Sequence, residues 1–319
     1  MNKKEKESQL PYVDDFLLFI QANNYSRETL YNYERDLKTF EGFLVGELGG
    51  LPFSEVTKRT IEQYKAYLNS YDRKTAEGEI SQKHLQSGSI NRTLSTLRRY
   101  VAYLIDMDHK APIAPGSIKL LRMEKKHAHV SELEELKKLI EAPTKFEKNK
   151  MVALRNRAAL EVLFASGMRI SELLSIKRSQ LDKTGRIFIE GKGKKQRFVY
   201  LTERAKKHIR NYLNERTDDS PYLLIPERGR NASDKNSHIS PNYLQMKIKK
   251  YRELLDINLP TSAHSLRHGF ATYLAEQGAN PAAIQILLGH ESLDTTTRYV
   301  HASDTYAENT HKKFHPLKE

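Results

Sequence analysis

The sequence predicts a mainly α-helical protein with a small antiparallel β-sheet, divided into two domains. Three observations predict it. Apolar residues recur at helical spacing through most of the 319 residues, the mark of amphipathic helices. One stretch, RIFIEGKGKKQRFVYL at 186–201, alternates instead and turns through Gly191-Lys192-Gly193, which is a hairpin signal. Both patterns stop between residues 112 and 130, where Pro112 and Pro115 precede the polar, basic LRMEKKHAHV. The expected boundaries are a helical domain at 1–119, a linker at 120–130, and a second domain with a C-terminal tail at 131–319.

In chain order, YVDDFLLFIQANN places Val13, Phe16, Leu17 and Ile20 on one helical face. Ser26 opens a second helix, with Thr29 completing a partial capping box. Leu30, Tyr33, Leu37 and Phe40 hold its period until Gly49-Gly50. A third helix runs from Thr57 to Tyr71 around Ile61, Tyr64 and Leu68. Residues 72–88 are polar and aperiodic, a loop or short irregular insertion. From Ser89 a fourth helix turns Leu94, Leu97, Val101 and Leu104 inward and leaves Arg92, Arg98 and Arg99 off that stripe. The first domain is therefore a small helical bundle with basic faces.

The second domain starts at SELEELKKLIEAP, where Ser131 and Glu134 have capping-box spacing. Leu160, Leu163 and Phe164 mark a buried helix that Gly167 stops. RISELLSI resumes with Ile170, Leu173 and Leu174. The hairpin alternates through Ile187 and Ile189 and continues after the turn with Phe198 and Tyr200. Helices follow from Thr202, from Ser240-Pro241, over Ser262 to Gln277, and from Asn280-Pro281 to Leu288, the proline pairs suiting a cap and first turn.

Charge bounds the function. Lys and Arg total 53 against 40 Asp and Glu, a net +13. Such a field draws polyanions, and nucleic acid is the natural one because phosphate neutralisation releases counterions. The chain has no cysteine, which excludes disulfides and thiolate metal sites. It has no apolar run of bilayer length, and the charged MNKKEKESQL lacks an apolar signal core. A cytoplasmic protein without a membrane partner is expected.

Four elements carry chemistry of one kind. Arg169 stands where a helix begins after Gly167. From Lys183 to Arg197 lie six basic residues and one acid; such a cluster is usually a solvated face, but glycines in the turn allow close approach to another backbone. HSLRH puts His264, Arg267 and His268 on one helical face. LLGHESLDTTTRYV places Tyr299 nine residues after His290. The two histidines have zinc-helix spacing, yet Ser265 stands where that motif needs a glutamate base, so no metal is expected. Guanidinium forks match nonbridging phosphate oxygens, and a tyrosine supplies a nucleophile for a covalent phosphoprotein. The set suits a phosphodiester and calls for no cofactor.

These motifs resemble the tyrosine site-specific recombinases. Arg169 in SGMRISELLSI, Lys192 in IEGKGKKQRFVYL, His264 and Arg267 in HSLRHGFATYLAEQGAN, His290 in LLGH and Tyr299 in TTTRYVH match that family's six-residue catalytic set in order and spacing. YVDDFLLFIQANNYSRETLYNYERDLKTF is similar to its core-binding domain, especially in the Xer-type and phage-integrase branches. The resemblance covers nearly the whole chain. It implies a catalytic C-terminal domain, Tyr299 as the nucleophile forming a 3′-phosphotyrosine with DNA, Lys192 as general acid, and His268 as an auxiliary residue. It also implies double-stranded DNA with paired half-sites, a homotetramer on that DNA with or without a paralogue or accessory protein, and a Holliday junction intermediate. Ser26, Arg27, Arg92 and Arg98 on the basic helices, with Lys194 and Lys195 in the hairpin, are the candidate DNA contacts. Residues 72–88 are longer than the family's usual connection. Two rival readings share these residues: a type IB topoisomerase-like strand transferase, and a DNA-binding relative without catalysis.

Overall fold

The computed structural model describes residues 10–289, apart from 72, 77, 81–83, 124–131, 192–195, 229–233, 235–236 and 260. The chain divides into two compact units between Lys126 and His127. It is mostly helical, with a two-stranded antiparallel sheet. No described helix is long and apolar enough to cross a membrane.

The first unit holds α1 (Val13–Ala22), α2 (Arg27–Gly46), α3 (Lys58–Leu68) and α4 (Ser87–Asp106). Ser26 caps α2 by accepting from the Thr29 amide at 3.1 Å, and Thr57 and Thr60 form a reciprocal capping box on α3. The two hydroxyl caps satisfy amides that a helix start leaves unpaired. Phe16, Leu37, Phe40, Tyr64, Leu94 and Tyr100 meet in one core. Helix α2 stops at Gly46, three residues before the expected glycine pair, because Gly50 and Leu51 both donate back to the Leu44 carbonyl. Helix α4 starts at Ser87, so Ser89 lies inside it. The insertion between α3 and α4 contains a tight turn in which Lys74 bridges Ile80.

A buried acid joins the two long helices. Asp36 of α2 accepts from Arg92 Nη1 at 2.6 Å, Thr96 Oγ1 at 2.9 Å and Thr93 Oγ1 at 3.2 Å, all from α4. Burial pushes its carboxyl up, and Arg92 with the threonines offsets only part of that push. Beyond α4, Asn91 holds Leu121 by two hydrogen bonds, at 2.9 and 2.7 Å. The chain thus stays docked on α4 as far as Leu121.

The second unit comprises α5 (Leu133–Phe146), α6 (Lys150–Ser166), α7 (Ile170–Leu174), β1 (Arg186–Glu190), β2 (Gln196–Tyr200), α8 (Glu203–Asn214), α9 (Pro241–Leu254), α10 (Ala263–Glu276) and α11 (Pro281–Leu288). Thr202, Ser240, Ser262 and Asn280 cap α8 to α11 with their side chains. Helix α5 has Glu132 at its cap rather than Ser131; Ser131 lies outside the described residues. It also runs through Pro143 to Phe146, although a proline there has no N–H to donate to the carbonyl one turn back. Helix α6 is central and buried nearly all round, and its side chains pack against α5, α8 and α10.

The register of the hairpin decides which of its faces is buried. Ile187 pairs with Val199 and Ile189 with Arg197. Directly opposed residues of a sheet share a face, so Val199 and Arg197 turn inward with the two isoleucines. Phe198 and Tyr200 take the other face and are 39% and 52% exposed. Phe188 packs on Phe198 on that outer face, and the Arg186 guanidinium lies 3.7 Å over the Phe198 ring.

Candidate active site

Helix α6 ends at Gly167, whose φ of 61° is the left-handed conformation of a helix stop. An added Cβ there would collide with the Phe270 ring of α10 and sit 3.1 Å from Leu288 of α11. Glycine at 167 therefore permits three helix segments to converge. Arg169 follows two residues later as the cap of α7.

Glu172 organises the cap. Its Oε2 accepts from the Arg169 amide at 2.6 Å, and its Oε1 from Arg169 Nη1 at 2.9 Å. Arg197 approaches the same carboxylate from β2 as a fork, Nη1 to Oε1 at 2.9 Å and Nη2 to Oε2 at 2.8 Å. Burial works to raise the Glu172 carboxyl, but the Arg197 hydrogen bonds, the Arg169 amide and the Arg197 charge together hold it below the usual carboxylate range. Two arginines are thus clamped on one buried anion.

Arg267, on α10, is buried and points to the same junction. Its Nη1 donates to the Gly167 carbonyl at 2.8 Å and its Nη2 to the Leu288 carbonyl at 2.7 Å. Arg197 Nε donates to the preceding carbonyl, Leu287, at 3.0 Å. The α11 C-terminus, where carbonyls lack helical partners, is held by two guanidinium groups that also suit its dipole. Gly289 then turns the chain with φ of 65°.

His264 stands one turn before Arg267 on α10. Partial burial, then the charges of Arg267 and Arg169, hold its imidazole below the ordinary histidine range. His268 is lowered too, by burial first, and its Nδ1 lies 3.5 Å from Thr272 Oγ1. Both rings favour the neutral form near pH 7, able to accept or relay a proton. Their centroids are 6.4 Å apart and nearly perpendicular.

Of the six expected catalytic residues, Arg169, His264 and Arg267 gather around this junction. Lys192, His290 and Tyr299 lie outside the described residues, as do Lys194 and Lys195. In the first unit, Ser26 caps α2 and Arg27 is exposed beside it. Arg92 is tied to Asp36, and Arg98 donates to the Ile118 carbonyl. Sequence reading passed over Glu172 and Arg197. Glu172 carried a signal, an acid three residues after a helix-start residue. Arg197 was merged into a basic cluster that reads as solvated, whereas its side chain is 8% exposed.

Residues 130–305 match the phage integrase family, and residues 13–107 match its N-terminal SAM-like domain. The chain belongs to the phage integrase family. It is a tyrosine site-specific recombinase, and the curated relatives agree over almost its full length. It is 30% identical to the tyrosine recombinase XerD of Staphylococcus haemolyticus over 95% of this chain and 98% of the relative. It is 30% identical to the tyrosine recombinase XerC of Lacticaseibacillus casei over 92% and 94%. The recombinase fold recurs in the XerH site-specific recombinase bound to palindromic difH substrate, at a TM-score of 0.69 and 21% identity over 93% of this chain and 82% of that one. It recurs in the lambda integrase tetramer bound to a Holliday junction, at 0.68 and 18% over 90% and 76%.

Proposed function

We propose that this recombinase cuts and rejoins double-stranded DNA through Tyr299, with Arg169, Lys192, His264, Arg267 and His290 as the remaining catalytic residues and His268 as an auxiliary one. The observation that carries the reading is the convergence of Arg169, His264 and Arg267 on the α11 end from which residues 290–299 continue. Arg169 and Arg267 bind the nonbridging oxygens of the scissile phosphate and stabilise its pentacoordinate state. The Tyr299 hydroxyl passes its proton to a neutral histidine of the site as its oxygen attacks phosphorus, the P–O5′ bond breaks, and Lys192 gives a proton to the departing 5′ oxygen. A 3′-phosphotyrosine and a free 5′ hydroxyl result. The 5′ hydroxyl of a partner strand then attacks phosphorus, and Tyr299 recovers its proton as it leaves. The phosphodiester energy stays in the phosphotyrosine, so the reaction consumes no nucleotide, and the arginines supply the charge that a metal would otherwise supply.

In this reading residues 1–119 and 131–319 are the two DNA-binding domains, joined by 120–130, and the protein acts in the cytoplasm. Arg27 and Arg92, with Ser26 and Arg98, belong to the first domain's DNA-facing helices, and Lys194 and Lys195 contact phosphates from the hairpin. Four protomers on two sites exchange one pair of strands to a Holliday junction and a second pair to resolve it. The test is a nicked suicide substrate. Wild type accumulates a covalent adduct resolved on a denaturing gel, and Tyr299→Phe binds the same DNA without one. Undiminished adduct from Tyr299→Phe would remove this residue from the role.

A further inference from the structure

Arg197 belongs to none of the six expected catalytic positions, yet its guanidinium makes three hydrogen bonds within the site. It makes three kinds of contact at once. Its two Nη atoms hold both oxygens of Glu172, at 2.9 and 2.8 Å. Its Nε holds the Leu287 carbonyl at 3.0 Å. Its guanidinium also packs against Gly289, where an added Cβ would lie 2.9 Å from Nη1 and 3.1 Å from Cζ. An arginine so committed on β2 has its charge facing Glu172 and the helix end, away from solvent.

The partners explain what such a residue does. Glu172 fixes Arg169 at two points, the amide and Nη1. Those two bonds and the Arg197 fork end on the same pair of oxygens. A carboxylate gripped by a planar fork has its plane set, so Arg197 decides where the oxygens that receive Arg169 can be. Without it, Glu172 would be a buried carboxylate held by Arg169 alone, at the amide and Nη1.

We propose that Arg197 is a positioning residue for strand cleavage: through Glu172 it sets the guanidinium of Arg169 for the scissile phosphate. The proposal rests on the reading of Arg169 as a phosphate-binding residue. Arg197 itself touches no reacting atom. Its loss is felt as a misplaced cation, so the defect depends on how much negative charge the phosphate carries.

The experiment compares cleavage by wild type, Arg197→Met, Arg197→Lys and the double Glu172→Gln, Arg197→Met on three suicide substrates. One has an ordinary phosphate, one a methylphosphonate at the scissile position, and one a 5′-bridging phosphorothiolate. The double variant removes both buried charges, so that neither is left unpaired if Arg197→Met alone folds poorly. Single-site DNA affinity and thermal melting are recorded for each. On ordinary DNA, Arg197→Met is expected to cleave about 10²-fold slower, the scale of one lost preorganised donor. Arg197→Lys should fall between it and wild type, since lysine keeps the charge and loses the fork. On the methylphosphonate, which lacks one nonbridging negative charge, variants and wild type should converge. On the phosphorothiolate, whose sulfur leaves without a proton, the gap should remain. Rescue by the phosphorothiolate in place of the methylphosphonate overturns the proposal, because the effect would then run through the hairpin and its general acid. Equal loss on all three substrates also overturns it, leaving Arg197 a packing residue. A wild type that forms no adduct defeats the functional reading and this proposal together; an active wild type with an unrescued Arg197→Met defeats the proposal alone.

Discussion

Replacing Gly167 by alanine tests whether the junction of α6, α10 and α11 is as tight as its geometry implies. Two costs add. Alanine at φ of 61° enters the left-handed region, at about 1–2 kcal/mol. Its methyl would also lie 2.7 Å from Phe270 Cε1 and 3.1 Å from Leu288 Cδ2, and overpacking of this kind costs about 1–3 kcal/mol. The sum is about 2–5 kcal/mol. For a domain of this size each kcal/mol moves the midpoint by about 2–4 °C, so the second unit should melt about 4–20 °C lower. Gly278 supplies the control. Its φ is 81° with nothing within 4 Å of an added Cβ, so Gly278→Ala carries the strain alone. The difference between the two variants in thermal unfolding isolates the packing term. Cleavage should fall in Gly167→Ala beyond the loss of folded protein, because the Gly167 carbonyl holds Arg267. Equal destabilisation by both substitutions would refute the argument that Phe270 and Leu288 enforce glycine at 167.

Two further outcomes follow from the same site. Glu172 is depressed in the folded state, so the stability it contributes is complete above the unfolded carboxylate value of about 4.3 and is lost as pH falls through its lower folded value. Melting between about pH 3 and pH 7 should show this acid loss in wild type, with Asp218, lowered to about 2 by its hydrogen bonds to Arg216, adding to it. Glu172→Gln should be about 3–5 kcal/mol less stable near neutrality and should flatten the acid slope; an unchanged slope would assign it to other carboxylates. If Lys192 protonates the leaving 5′ oxygen, Lys192→Ala should cleave ordinary DNA poorly and a 5′-bridging phosphorothiolate well, whereas Lys194→Ala should show no such rescue and should mainly lower the salt dependence of binding.

The helices were legible because their signals are local. Ser26, Thr57, Thr202, Ser240, Ser262 and Asn280 each cap the helix that the apolar period announces. Arg169 was legible as the start of a new helix two residues after a glycine stop. The outer face of β2 was not, because alternation says which residues share a face and leaves open which face is buried. Phe198 and Tyr200 are the more apolar pair, yet register across the turn aligns Val199 and Arg197 with buried Ile187 and Ile189. The same parity hid Arg197. A charged residue turned inward is justified only by its partner, and Glu172 is 25 residues away in sequence. Only the fold brings that pair together.

The pairing also resolves a difficulty that the sequence leaves standing. In the proposed reading, a site that receives one phosphate gathers Arg169, Arg197 and Arg267 around one helix end, and before DNA arrives these charges repel. Glu172 offsets part of that repulsion from inside, where it faces two of the three. Arg267 is oriented differently, through the carbonyls of Gly167 and Leu288, and such acceptors direct a guanidinium without offsetting its charge. The histidines add little repulsion, because burial, joined at His264 by the charges of Arg267 and Arg169, lowers both and favours the neutral rings near pH 7. The site can therefore hold fixed positive charge for the phosphate in its arginines while its imidazoles remain able to take up a proton. A fourth permanent cation in place of His264 would strengthen phosphate binding in the ground state as well as in the transition state, which lowers no barrier. A neutral ring that gains its proton only as charge develops stabilises the transition state selectively.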